Sequence, residues 1–439
     1  MKKSLFAIAA VTAFAGAAQA QSSVTVYGLL DYGFGGSSQT AAGPQAATTS
    51  SGGLPGGATN GVIKTQTSGL GGNGESTSRI GFRGTEDLGG GLRAFFTAEA
   101  ALATDSSGAG FFASSATSNG TGNRQTFIGL GKKGLGQASI GIQYTPVHEA
   151  AAATDAGGLN NQNGNVIYDR AGGWGASTGQ VVGGTGNIGQ ATSGMATNTS
   201  YTVRSSNMLM LKSENIAGFM GKVMVVAGGK DSGSNLAAGN AVSNLSNDTS
   251  GYGASIDYTW KKLFVTANYQ SFTTTVNQAG ATRTYSPGYN GAGINVGTNS
   301  QDLQQYYAAT YDFGILKAYA QYVNRKVQNT NNQDNYVQRS AQQIGVRAPI
   351  TAKVTAWASA GMGKMNNTGA GAATANINGW QLGSDYNLSK RTNLYAIYGQ
   401  TSTSNAATGG YASLTTPASN SQPTSYNASS YAVGVRHTF

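Results

Sequence analysis

The chain has no cysteine, only 7 prolines and 2 histidines, and its charged residues make up 10% of 439. Without cysteine there can be no disulfide framework, so an exported chain of this size must be held by a packed core or a closed sheet. Two histidines leave little for hydrolytic or metal chemistry. His148 opens "HEAAA", which lacks the second histidine of a zinc helix, and His437 falls on the apolar side of the final strand-like pattern. No catalytic group, metal or cofactor is expected. The basic residues stand singly along the chain, with no clustered patch or recognition helix, which argues against nucleic acid as a partner. "GLGKKG", from Gly129 to Gly134, fits G-x-G-x-x-G but ends a strand-like pattern with no helix after it, so it is not a nucleotide loop.

Long apolar runs are missing as well. Beyond residue 20, glycine, serine, asparagine and lysine interrupt every apolar stretch before the roughly 20 residues that a transmembrane helix needs. Residues 1–20 are different: Met1, Lys2 and Lys3, an apolar segment from Leu5 to Gly16, and Ala18-Gln19-Ala20 read as a secretory signal peptide cut before Gln21. Loss of Lys2 and Lys3 would lower the formal net charge from +10 to +8.

What the chain has is glycine, 66 residues, and tyrosine, 22, distributed over segments of about ten residues with a period of two. In "STSRIGFRGTE" Ile80 and Phe82 oppose Arg79, Gly81 and Arg83. Leu92, Ala94, Phe96 and Ala98 oppose Arg93, Phe95, Thr97 and Glu99, and Tyr252, Ala254, Ile256 and Tyr258 oppose Gly253, Ser255 and Asp257. Short connections around residues 87–91, 133–136, 214–218, 259–262, 312–315, 349–353 and 389–393 alternate with long polar ones at about 37–74, 105–122, 147–203, 230–250, 274–303, 327–338, 366–377 and 404–427. Sixteen strands follow. That alternation predicts an all-β fold: a 16-stranded antiparallel transmembrane β-barrel spanning residues 21–439, apolar outside and polar inside, with short periplasmic turns and long external loops. Tyrosines near strand ends, including Tyr27, Tyr144, Tyr258, Tyr269, Tyr311, Tyr322, Tyr386, Tyr398 and Tyr431, are expected in aromatic girdles. An arginine facing lipid at mid-membrane would cost about 2–4 kcal/mol, so Arg79, Arg83, Arg93, Arg347 and Arg436 are assigned to the lumen.

Several strings, "TVYGLLDYGFG", "SRIGFRGTEDLGGGLRAFFTAE", "NRQTFIGL", "TYDFGILKAYAQY", "DYNLSKRTNLYAIYGQTS" and "VGVRHTF", resemble the general porins of Gram-negative outer membranes, in the branch typical of beta-proteobacteria. The resemblance implies a water-filled homotrimer whose third external loop, here residues 147–203, folds into the lumen. It implies that acidic groups of that loop (Glu149, Asp155 and Asp169) face wall arginines at Arg79, Arg83, Arg124 and Arg204, with Arg93, Arg347 and Arg436 lining the rest of the pore. It also implies that Phe439 is read by the outer-membrane assembly machinery. Ile142 and Met210 stand where the family carries arginine, so a less densely charged constriction is expected. The expected function is passive diffusion of ions and small hydrophilic solutes with a weak anion preference. The alternatives are a solute-specific channel, or a surface adhesin built on the long loops.

Overall fold

The computed structural model describes residues 23–43, 61–102, 122–168, 195–228, 246–277, 285–286, 289–290, 299–330, 336–367, 374–407 and 423–439. Residues 1–20, expected to be a signal peptide, and Asp169 lie outside them.

The elements, in chain order, are β1 (Ser23–Gly43), β2 (Gly61–Gly72), β3 (Arg79–Gly89), β4 (Leu92–Ala101), β5 (Asn123–Lys132), β6 (Gly136–Tyr144), α1 (Pro146–Thr154), β7 (Met195–Thr197), β8 (Thr202–Ser213), β9 (Phe219–Ala227), β10 (Ser246–Trp260) and β11 (Leu263–Asn277). A two-residue hairpin, β12 (Tyr285–Ser286) and β13 (Tyr289–Asn290), follows. The last seven are β14 (Asn299–Asp312), β15 (Lys317–Asn329), β16 (Tyr336–Pro349), β17 (Val354–Asn367), β18 (Ala375–Asn387), β19 (Thr392–Ala407) and β20 (Pro423–Thr438).

Each long strand pairs antiparallel with its chain neighbour, and β20 returns to β1 in register from Leu29 opposite Thr438 to Ala42 opposite Ser425. On its other side β1 meets two segments: its first residues pair with β3 and its later ones with β2. Together β2 and β3 thus fill one place in the ring, which closes with sixteen strand places. The seam lies further along β1 than the Val24 end, which pairs with β3 instead. Closure leaves no unpaired backbone edge in lipid, where each unsatisfied amide would cost several kcal/mol.

Period-two alternation sets the two faces. On β18, Trp380 and Leu382 are exposed while Ile377, Gln381 and Asp385 are buried; on β9, Val223 and Val225 are exposed while Lys222 and Met224 are buried. A belt of exposed Val, Leu, Ile and aromatic side chains around a polar interior inverts the arrangement of a water-soluble protein and fits a lipid solvent. Among the described residues no helix is long and apolar enough to cross a membrane. The turn after β3 is made by Gly89, Gly90 and Gly91 at φ of 82°, 58° and 77°, a left-handed path that side chains with a Cβ resist.

Three expectations need correction. Strands reach further than their pattern suggested, since β1 runs through Gly43 and β2 begins at Gly61, inside the segment read as loop. Tyr27 and Tyr144 are not girdle residues. Both hydroxyls face the lumen, where Tyr27 donates to Glu99 (3.1 Å) and Tyr144 accepts from Arg124 (2.7 Å). A helix, α1, also opens the segment expected as the long third loop. Thr145 caps it by accepting from the His148 amide, Pro146 sits in its first turn, and four successive alanines, Ala150 to Ala153, favour it.

Candidate functional site

Residues 145–168 leave β6 and run along the inner face of the barrel. Helix α1 packs on β8 to β11, β14 and β15. Its Glu149 binds Lys212 of β8 and, at 3.3 Å, Lys222 of β9, which also holds Asp257 (2.9 Å). Thr154 then meets the Tyr306 hydroxyl of β14. Beyond the helix the chain crosses strand after strand: the Val166 amide donates to Gln343 of β16, Asn160 to Gln381 of β18, the Gly164 amide to Thr401 of β19 and the Asn163 amide to Ser430 of β20. Glycine on the wall makes room for it. A Cβ on Gly399 would collide with the Asn163 carbonyl, and one on Gly379 would sit 2.6 Å from the Gly164 carbonyl oxygen. Val147, Ala150, Ala151, Val166, Ile167 and Tyr201 form an apolar core with Tyr306, Val323, Val327, Ala341 and Ile377 of the wall.

The far end of this path rests on the interruption between β2 and β3. There Asn161 donates to the Asn73 carbonyl and Gln162 to the Gly74 carbonyl. The interruption itself is held by Asp31, whose carboxylate accepts from the amides of Glu75 (2.8 Å) and Ser76 (2.6 Å) and from the Tyr395 hydroxyl (2.6 Å). The returning leg is anchored by two fully buried arginines. Arg325 clasps Asp302 with two nitrogens (3.0 and 2.6 Å) and donates to the Asn198 carbonyl, and Arg339 donates to Val166 and Ser200.

The described part of the segment therefore lines the arc from β8 round to β20, and toward β3 to β6 it meets the Tyr144 ring at the end of β6 through His148 (4.5 Å). On that side Arg124 and Arg79 gather about the Glu99 carboxylate, and Arg204 of β8 stands at the edge on the Tyr144 ring. Arg124 Nε lies 2.7 Å from Glu99, Arg79 Nε lies 4.0 Å from its other oxygen, and Arg204 lies 6.0 Å over the Tyr144 ring. Arg124 owes its direction to a bulge. Glu99 pairs with Gln125 and Ala100 with Asn123, so Arg124 is the extra residue and turns inward against simple alternation. Arg83 and Arg93 follow on the same arc toward the short-turn end. Two cations on one anion, with Arg204 beside them, leave a net positive wall.

Other expected residues have different surroundings. Arg347 is tied to Asp385 and the Ala156 carbonyl, and Arg436 to Glu75 (2.9 Å) and Asn393, so both face inward with their charge matched. Glu149 is paired with lysines, away from the arginine cluster. Asp155 is buried and structural, accepting from the Leu159 amide, Asn165 and Gln343, and burial pushes its carboxyl above the usual range. Met210 lies in an apolar inward cluster with Met208, Met224, Val226 and Phe272, and Ile142 pairs with Thr126 beside the arginines. His148 is enclosed by the rings of Tyr144, Tyr201 and Tyr168 at 4.5, 5.9 and 6.0 Å. Burial, aided by Arg204, Arg124 and Arg79, pushes its imidazole down to about 3.

Glu99, Asp31, Arg325 and Arg339 join the site without a motif that marks them. Each sits on the polar side of its strand's alternation, which is the signal that could have singled it out.

A closed barrel with an apolar belt, a polar inner face and an inward-folded segment is a transmembrane channel scaffold. The chain belongs to the Gram-negative porin family, whose model matches residues 7–406, and it resides in the outer membrane. It is 29% identical over 408 residues to an outer membrane porin protein of Bordetella pertussis, covering 90% of this chain and 93% of that one. In fold it resembles the anion-selective porin from Comamonas acidovorans, with a TM-score of 0.62 and 19% identity over 95% of this chain and 100% of that one. It also resembles the trimer form of OmpT of Vibrio cholerae, with a TM-score of 0.52 and 15% identity over 95% and 99%.

Proposed function

We propose that the protein is a homotrimeric general diffusion porin passing ions and small hydrophilic solutes, with a weak preference for anions. The observation that carries this reading is the division of the lumen. Residues 147–203 act as the constriction loop, their described part lying against β8 to β20, and solutes pass along the arc from β3 to β6 beside Arg79, Arg83, Arg93 and Arg124, with Arg204 of β8 at its edge. Such a channel performs no bond chemistry. Its wall charges raise the local concentration of anions in a low-dielectric tunnel, and arginine holds that charge at any physiological pH. Glu149 and Asp155 of the loop shape the passage by fixing the loop rather than by facing the arginines. The trimer assembles among outer-membrane lipids after removal of residues 1–20, with Phe439 as the feature read by the assembly machinery.

Planar-bilayer recording in a KCl gradient tests this. The reversal potential should lie on the chloride side of zero, and Arg79→Gln with Arg124→Gln should move it toward zero. A potential on the potassium side in the parent protein would overturn the anion preference.

A further inference from the structure

A cavity of about 360 Å³ opens on the inner wall near the short-turn end, lined among others by Thr25, Arg83, Arg93, Phe95, Phe127 and Gln137. Two features mark it. Among the described residues neither Arg83 nor Arg93 has an ion-pair partner, whereas Arg79 and Arg124 share Glu99, Arg347 has Asp385 and Arg436 has Glu75. Beside them two phenylalanines face the lumen, Phe95 and Phe127, in edge-to-face contact at 6.4 Å and 77°. Apolar rings gain nothing from water, and the described part of the loop, which covers the apolar inner face elsewhere, packs on β8 to β20 rather than on this wall.

The cations and rings are already interleaved. Arg93 lies 5.5 Å over Phe95, Arg83 lies 5.2 Å over Tyr27, and Arg93 is oriented by donating to Gln137 (3.0 Å). Thr25, Thr85 and Thr97 add hydroxyls to the lining. A guanidinium presents paired donors matched to a planar carboxylate, phenylalanine edges and faces receive another ring, and a space of this size holds one ring.

We infer that this cavity is a binding site for single-ring aromatic carboxylates, with the carboxylate on Arg83 and the ring against Phe95 and Phe127. The inference deepens the diffusion reading and rests on it, because such a solute reaches the site through the lumen. A saturable station of this kind below the Arg79–Glu99–Arg124 cluster would favour aromatic acids over aliphatic ones of equal charge.

The experiment is single-channel recording of the purified protein in KCl, with benzoate, acetate or benzyl alcohol added to the short-turn side. Benzoate should reduce the current saturably at concentrations where acetate and benzyl alcohol do not. Phe127→Leu, which keeps apolar volume but removes the ring, should weaken the block roughly fivefold while leaving KCl conductance at the parent level. Phe95→Leu serves as the second variant where Phe127→Leu fails to insert, and Arg83→Gln should weaken the block as well. Equal block by benzoate and acetate, or undiminished block in both leucine variants, would overturn the site. Absence of any conductance step in KCl would instead overturn the diffusion reading. In that case benzoate binding to the detergent-solubilised protein, followed by saturation-transfer NMR, decides the site separately: transfer lost in Phe127→Leu supports it, and no transfer in the parent overturns it.

Discussion

His148 shows how one buried side chain can make loop packing sensitive to acid. Its native imidazole is held down to about 3, against about 6.5 in the unfolded chain, so between those values the unfolded state binds a proton that the folded state refuses. The neutral imidazole's contribution is therefore complete above pH 6.5 and falls by about 1.4 kcal/mol for each pH unit below it, down to about 3. Asp155 works in the opposite sense, since a carboxyl raised by burial favours the native state as it protonates. Comparing variants separates the two. Unfolding in detergent at pH 6.5 and 4.5 should show a loss of about 2–3 kcal/mol in the parent that disappears in His148→Phe; equal losses in both would remove His148 as the cause. Residues such as this were hard to read in advance. Arg79 and Arg83 announce themselves by alternating with Ile80 and Phe82, but nothing in "TPVHEAAAATD" says that the histidine will be enclosed by Tyr144, Tyr168 and Tyr201, two of them more than ten residues away in sequence.

Among elements, the inward segment and its seat illustrate a fit that depends on what is missing from the wall. Gly399 of β19 and Gly379 of β18 bring the backbone of residues 163–164 against the strands, where a Cβ would occupy the carbonyl's place. Gly399→Val should lift the segment from β19, break the bonds from Gly164 to Thr401 and from Asn163 to Ser430, and change single-channel conductance while the barrel still inserts. Unchanged conductance, with the variant fully inserted, would show that the segment does not control the passage. Barrel strands were legible because a period of two survives in each of them, and sixteen places emerged from the alternation of short and long connections. Helix α1 and the break between β2 and β3 were not. The helix sits in a Gly- and Ala-rich stretch that resembles an exposed loop, and the break depends on Asp31, more than forty residues before Glu75 and Ser76. The resemblance implies that Arg124 is on the lumen side, yet only the bulge opposite Glu99 explains how it turns inward.

For the whole molecule the seam between β1 and β20 is the most distant pairing in sequence, and a sheet cannot close before both strands are present. Gly28 and Phe439 exchange backbone hydrogen bonds in both directions at 3.0 Å, and a Cβ on Gly28 would lie 2.5 Å from the Phe439 ring and from the Arg79 carbonyl oxygen. Gly28→Val should therefore slow or reduce insertion and lower the temperature at which the folded form converts to the slower-migrating unfolded band in gels. A variant with parental conversion temperature and yield would show that the seam tolerates repacking. Long-range closure of this kind is slow and exposes strand edges meanwhile.

The divided lumen also gives the inner face two different rules of substitution. Along β14 to β18 the inward positions, such as Tyr306, Val323, Ala341 and Ile377, lie under the folded segment and belong to a packed interior. Along β3 to β5 the inward positions at Arg83, Arg93 and Phe127 meet water. Exchanging one polar side chain for another should thus be nearly free on the second arc and costly on the first. Variation that retunes what passes has a narrow sector of the ring in which to accumulate, and the remaining sectors hold the shape against which it acts.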